Sequence, residues 1–137
     1  MTGGPVSDLR DMLAGMEPLL HELPYVFLPG ELWTDYSVEL TDSFATITEG
    51  GDSTHVFPLH EELEMTRGLP QFGRITLQVH SALEGVGLTA AVATALAEAG
   101  IACNVIAGFH HDHLFVPWSA RENALSILQG LSQVARR

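Results

Sequence analysis

A glycine-broken turn and a cluster of histidines hold the chemistry available to this chain. Around Ser81 a segment with strand alternation gives way, through Glu84-Gly85-Val86-Gly87, to a segment with helical spacing that opens at Leu88 and Thr89. Backbone N–H groups at a helix start lack intrahelical partners and carry partial positive charge, which favours a carboxylate there. Gly85 and Gly87 let a ligand approach the backbone with no Cβ in the way. Asn104, on the neighbouring strand, is expected to offer its amide to the ligand's polar groups. The competing reading of these residues is structural: glycines that shape a tight turn and an asparagine that satisfies a strand edge.

His110-His111-Asp112-His113, together with His80, is the second constellation. Imidazoles at His111 and His113 share one side of a strand, and a third from His80 would complete a metal site able to activate water. At a hairpin tip such histidines read more simply as solvated or hydrogen-bonded within the turn, and no acid is placed as a general base. His80 and His113 fall on the polar parity of their strands, so they are expected on the sheet face away from the helices, where another unit packs. Cys103 alternates with core positions and reads as an inert buried thiol. Ser81 precedes no base at telling spacing, and the chain has no lysine for a phosphate-binding loop. Glu61-Glu62-Glu64, and Glu31 with Asp35, lack calcium-loop spacing and read as solvated faces. No cofactor is expected.

Composition narrows the partners. A chain of 137 residues, 46% hydrophobic, suits one compact unit or two very small ones. Seventeen acidic against six basic residues give a net charge of -11, which repels phosphate backbones and anionic lipid and argues against nucleic acid as a partner. A single cysteine excludes an internal disulfide and fits a reducing compartment. No basic start leads into an apolar run, and no stretch approaches the length that crosses a bilayer. A soluble cytoplasmic protein without a membrane partner is expected.

The elements that must position the turn begin with Ile75, Leu77 and Val79, alternating with Thr76, Gln78 and His80 as a strand with one dry face. Leu88, Ala91, Val92, Ala95, Leu96 and Ala99 recur at helical spacing up to Gly100, where a helix end favours a left-handed residue. Ile101, Cys103 and Val105 mark a second strand, 108–112 a turn and 113–118 a returning third. Ser119 and Glu122 have capping-box spacing ahead of a helix striped by Ala124, Ile127, Leu128, Leu131 and Ala135. Upstream, 1–6 is a leader expected to fray, and Ser7 is placed to cap a short helix with Leu9, Met12, Leu13 and Met16 on one face and Pro18 at its end. Residues 19–28 read as a strand bent or broken at Pro24, and most of 29–42, with Trp33 and Tyr36, as loop. Residues 44–48 and 54–57 flank Glu49-Gly50-Gly51-Asp52 as a hairpin, 60–67 is a short helical turn, and 68–73 joins the halves. Thr54-His55-Val56-Phe57-Pro58 ahead of an acidic turn parallels Asp112-His113-Leu114-Phe115-Val116-Pro117 ahead of the last helix, the mark of a degenerate internal repeat.

Val86-Gly87-Leu88-Thr89, followed by Ala97-Glu98-Ala99-Gly100-Ile101 and Asn104-Val105-Ile106, resembles the first strand, helix and second strand of ACT domains, especially the aspartate-kinase regulatory type. The stretch from Val79-His80-Ser81 to His113-Leu114-Phe115-Val116-Pro117 is similar to small bacterial tandem ACT proteins related to the amino-acid-sensing group. The resemblance spans residues 74 to 134. It implies a βαββαβ ferredoxin-like fold, a regulatory role rather than an enzymatic one, and an amino-acid effector at the strand-to-helix turn, often between two units. An ACT unit ends with a fourth strand, which is expected here from 19–28 or from another protomer, because an open sheet edge invites pairing.

The expected protein is therefore α+β, with two interlocked ACT-like units, a degenerate half over 1–73 and an ACT domain over 74–137, antiparallel sheets and helices on one face. Its ligand is a small amino acid-like metabolite held by Ser81, Glu84, Gly85, Val86, Gly87, Leu88, Thr89 and Asn104, and it forms a homodimer or larger assembly. The alternatives are an interaction module without a ligand and a metal-dependent enzyme using the cluster from His110 to His113.

Overall fold

The computed structural model describes residues 4–34 and 43–137. The described elements are α1 (Leu9–Ala14), β1 (Pro18–Leu20), β2 (Tyr25–Pro29), β3 (Ala45–Glu49), β4 (Asp52–Pro58), β5 (Phe72–Leu77), α2 (Leu88–Glu98), β6 (Asn104–Ala107), β7 (Asp112–Pro117) and α3 (Arg121–Ala135). The strands form one antiparallel sheet in the order β3-β4-β2-β5-β7-β6, with β1 also paired to β5. The loop expected over 29–42 contains a 3-10 turn at Gly30–Leu32, and its remainder at 35–42, Tyr36 included, lies outside the described residues.

Residues 18–29 make one strand in two pieces. β1 lies along Ile75, Thr76 and Leu77, whereas β2 meets β5 only at Tyr25↔Phe72 and turns to pair with β4 over its whole length. Pro24 sits at the break, where its carbonyl accepts from the Leu59 N–H at 2.8 Å. Beside β5 the order is thus β1-β5-β7-β6, and beside β2 it is β5-β2-β4-β3. Each is a strand flanked by the returning arm of a later hairpin. The β3–β4 hairpin closes through Gly50 and Gly51, with Gly50 at φ +63.

The three described α-helices cover one face. Met12 and Met16 near α1, Leu88, Val92 and Leu96 of α2, and Ala124 and Leu128 of α3 pack on Ile75, Leu77, Leu114 and Val116 as the main core. Of the stripe read in α2, Leu88, Val92 and Leu96 are buried, Ala91 and Ala95 are half-buried and Ala99 is exposed; the helix ends in a Schellman motif: Gly100 (φ +73) donates to the Ala97 carbonyl and Ile101 to the Leu96 carbonyl. The strand that follows starts at Asn104, three residues later than the alternation from Ile101 suggests, because this motif consumes Ile101.

Two expected caps are replaced. Asp8 caps α1, its carboxylate accepting from the Asp11 N–H at 3.0 Å, where Ser7 was expected. α3 is entered through a 3-10 turn at Trp118–Ala120, and no side chain caps it, so the Ser119/Glu122 capping box does not form. Arg121 instead stacks over the Trp118 ring at 3.7 Å and donates to the Trp118 carbonyl at 2.8 Å. The opposite sheet face is aromatic. Because the sheet curls, Phe44 reaches across to Phe115 (5.7 Å) and His113 (4.8 Å), and Phe27 contacts Phe72 and Phe115.

Candidate functional site

The strand-to-helix turn is held by the N-terminal arm. Val6 lies parallel to Ser81, its N–H donating to the His80 carbonyl and its carbonyl accepting from the Ala82 N–H, both at 2.8 Å. The leader expected to fray is therefore tied down at Val6, since the backbone beyond β5 offers it a donor and an acceptor. Gly85 donates to the Ala82 carbonyl at 2.9 Å and closes the turn. Gly87 is the N-cap of α2 at φ +105, a conformation that a side chain resists, and Leu9 lies 3.2 Å from where its Cβ would be.

Below this turn is a cavity of about 150 Å³. Of the residues predicted to hold a ligand, Ser81, Gly85, Gly87, Leu88 and Thr89 line it. Glu84 and Val86 belong to the same turn and do not, and Val86 is 82% exposed. Asn104 opens β6, while the cavity touches Ala107 and Gly108 at the strand's other end. Register also pairs Asn104 with Phe115, which in turn pairs with Arg74, on the face opposite the helices. That placement was legible in the alternation of Asn104 with Cys103 and Val105.

Met12, Ala82, Leu83, Ala107, Gly108 and Asp112 also line the cavity and lie outside the predicted set, and two of them bear on its chemistry. Met12 reaches the cavity from α1, and Asp112 from the first position of β7. The amphipathic spacing of α1 announced that Met12 is buried, without saying against what. Burial raises the Asp112 carboxyl above its usual range, while a hydrogen bond from the Ser81 side chain and the nearby His111 act in the other direction. The first turn of α2 has no acidic residue and no side-chain cap, so its free N–H groups and partial positive charge stay available beside this carboxylate. The start of α2 and Asp112 thus bring a positive and a negative pole to one cavity.

The histidines do not converge. The His80 ring lies tilted against those of His110 (centroids 5.4 Å apart) and Phe109 (6.4 Å) near the β6–β7 turn. His113 lies on the other face, where Nδ1 accepts from Arg74 Nη2 at 3.2 Å and is 3.0 Å from Thr76 Oγ1. Arg74 also donates to the Tyr25 hydroxyl at 2.8 Å and stacks on Phe44 at 4.1 Å. Burial, then the positive charge of Arg74, lower the His113 pKa to about 4. His21, 2.7 Å from Thr76 Oγ1, is lowered for the same two reasons. Among the described residues no group of three His, Cys, Asp or Glu side chains is placed to hold a metal ion. Burial raises the Cys103 pKa, which keeps the thiol protonated and unreactive. No helix among the described residues is long and apolar enough to cross a membrane.

Comparison with known proteins gives the arrangement a family. The ACT-domain family model matches residues 71–130. A Vibrio cholerae protein of unknown function, VC0802, described as a possible transport protein, is 41% identical with a TM-score of 0.70, covering 90% of this chain and 95% of that one. Protein Atu0741 from Agobacterium tumefaciens (15% identity, TM-score 0.64) covers 84% of this chain and 87% of its own. The aspartokinase alpha and beta subunits (14% identity, TM-score 0.59) cover 83% and 95%. These last two share the fold. No protein of curated function matches. ACT domains are regulatory and generally bind small ligands, and the β5-α2-β6-β7-α3 succession with β1 at the edge of β5 is their ferredoxin-like arrangement. Residues 71–130 of this chain are an ACT domain.

Proposed function

We propose that this chain is a regulatory protein of two interlocked ACT-like units that binds an amino acid at the 81–89 turn and reports it through association with a second copy. The observation that carries the reading is the cavity bounded at once by the start of α2 and by Asp112. A zwitterion matches that pair of poles, its carboxylate toward the α2 N–H groups and its ammonium toward Asp112, with Ser81 and Thr89 as hydroxyl partners. Association is supported by Leu83, Val86 and Phe109, which are 65%, 82% and 70% exposed on the turns at this end of the sheet. Apolar side chains exposed beside a site favour a covering partner. A ligand that touches both copies stabilises only the paired state.

A thermal-melt screen of the full chain against the proteinogenic amino acids, with light scattering on each hit, tests this. A ligand at 100 times its dissociation constant adds about 2.7 kcal/mol of stability. A rise with a subset of amino acids, lost in Asp112→Asn and accompanied by a larger molar mass, is the expected result. A flat response at millimolar concentrations with an assembly that forms regardless would favour the ligand-free interaction module, for which the same apolar side chains speak.

A further inference from the structure

We infer that Met12, delivered by the N-terminal arm, sets the size limit of the 81–89 cavity and confines it to the smallest uncharged-side-chain amino acids, of the class of glycine, alanine and serine; this rests on the amino-acid reading of that site. Met12 is fully buried in the main core and lines the cavity, and its Sδ lies 3.1 Å from where a Cβ on Gly85 would be. Methionine is flexible, but this side chain is packed within the same core cluster as Leu88, Val79 and Met16, so withdrawing it means repacking that core.

The backbone behind it is pinned at both ends. Val6 is bonded across to His80 and Ala82, and Arg10 donates from Nε to the Ala135 carbonyl at 3.1 Å and from Nη2 to the Arg137 carbonyl. Arg136 and Ser132 of the C-terminal segment both donate to the Ala14 carbonyl. The space left, about 150 Å³, falls short of the ~300 Å³ at which drug-sized sites begin. Among the described lining residues Asp112 is the only ionisable one. It matches the ammonium that every amino acid carries, and none of those lining residues adds a second charge to pair with an acidic or basic side chain.

The test is calorimetric titration of the wild-type chain, Met12→Ala and the volume-conserving Met12→Leu with glycine, alanine, serine, leucine, phenylalanine, aspartate and lysine. In the wild type the first three are expected to bind at least tenfold more tightly than the others. Met12→Ala should strengthen leucine binding at least tenfold relative to the wild type, and Met12→Leu should keep the wild-type ranking. Leucine or phenylalanine binding the wild type as tightly as alanine overturns the inference, and so does an unchanged ranking in Met12→Ala. Should that variant fail to fold, Met12→Val takes its place with the same criterion, and the wild-type ranking already decides the size limit. Failure of every amino acid to bind the wild type has a different meaning: it removes the amino-acid reading itself.

Discussion

Acidification tests the cluster on the second sheet face. Arg74 can only donate, so His113 Nδ1, 3.2 Å from Arg74 Nη2, must present a lone pair and the ring is neutral in the folded protein. The unfolded chain has no such constraint and takes up a proton as pH falls through its ordinary 6.5, while the folded ring resists until about 4. The unfolded state therefore binds more protons between these values. Stability attributable to His113 is complete above pH 6.5, declines from 6.5 to 4, and changes no further below. The full gap corresponds to about 3 kcal/mol, and because the ring is only half-buried, solvent screening reduces the expected contribution to about 1–2 kcal/mol. Asp112, whose folded pKa is raised, has the opposite sign, since its folded form binds the proton more readily. A comparison between variants cancels it. His113→Asn keeps an acceptor near the Nδ1 position and does not titrate, so urea unfolding of wild type and variant at pH 7.5, 6 and 4.5 isolates the histidine. The wild type should lose about 1–2 kcal/mol more than the variant over that range. Equal losses, or a His113 ring that titrates near 6.5 by NMR in the folded protein, would refute the reasoning.

Three further outcomes follow from geometry already described. Gly87→Ala forces a side chain to φ +105 beside Leu9 and should cost about 1–3 kcal/mol, read as a lower urea midpoint with an unchanged slope; a loss under about 0.5 kcal/mol would show that the turn relaxes freely. Arg10→Ala removes donors to the Ala135 and Arg137 carbonyls at the end of α3 and should cost about 0.5–1 kcal/mol, with faster amide exchange in the last turn of α3 as its local signature. A fragment of residues 71–137 lacks β1 and leaves the Ile75–Leu77 edge of β5 unpaired; it should associate or precipitate on gel filtration, and a stable soluble monomer would contradict the role given to β1.

Much of the C-terminal half was legible before any coordinates. The buried positions of α2, its left-handed Gly100 and the parity that separates Leu114 and Val116 from His113 are local periodicities, and each appears in the fold as read. The failures are local too. Ser119 and Glu122 carry a capping pattern, but Arg121 stacks on Trp118 and winds the entry to α3 into a 3-10 turn. Asn104 is expected at the site as a residue of the neighbouring strand, although its own alternation with Cys103 and Val105 places it on the other face.

By itself, then, the sequence determined which segments form helices and strands, which face each buries, and that a glycine turn opens α2, because these follow from side-chain periods and backbone sterics acting over a few residues. Only the tertiary structure decided that Val6 and Met12 close over that turn, that Asp112 stands opposite the start of α2, and that residues 18–20 complete the edge of β5. Those contacts join residues roughly 20 to 80 positions apart, and they form because an unpaired strand edge and an uncovered apolar face must be satisfied by whatever part of the chain the topology brings near.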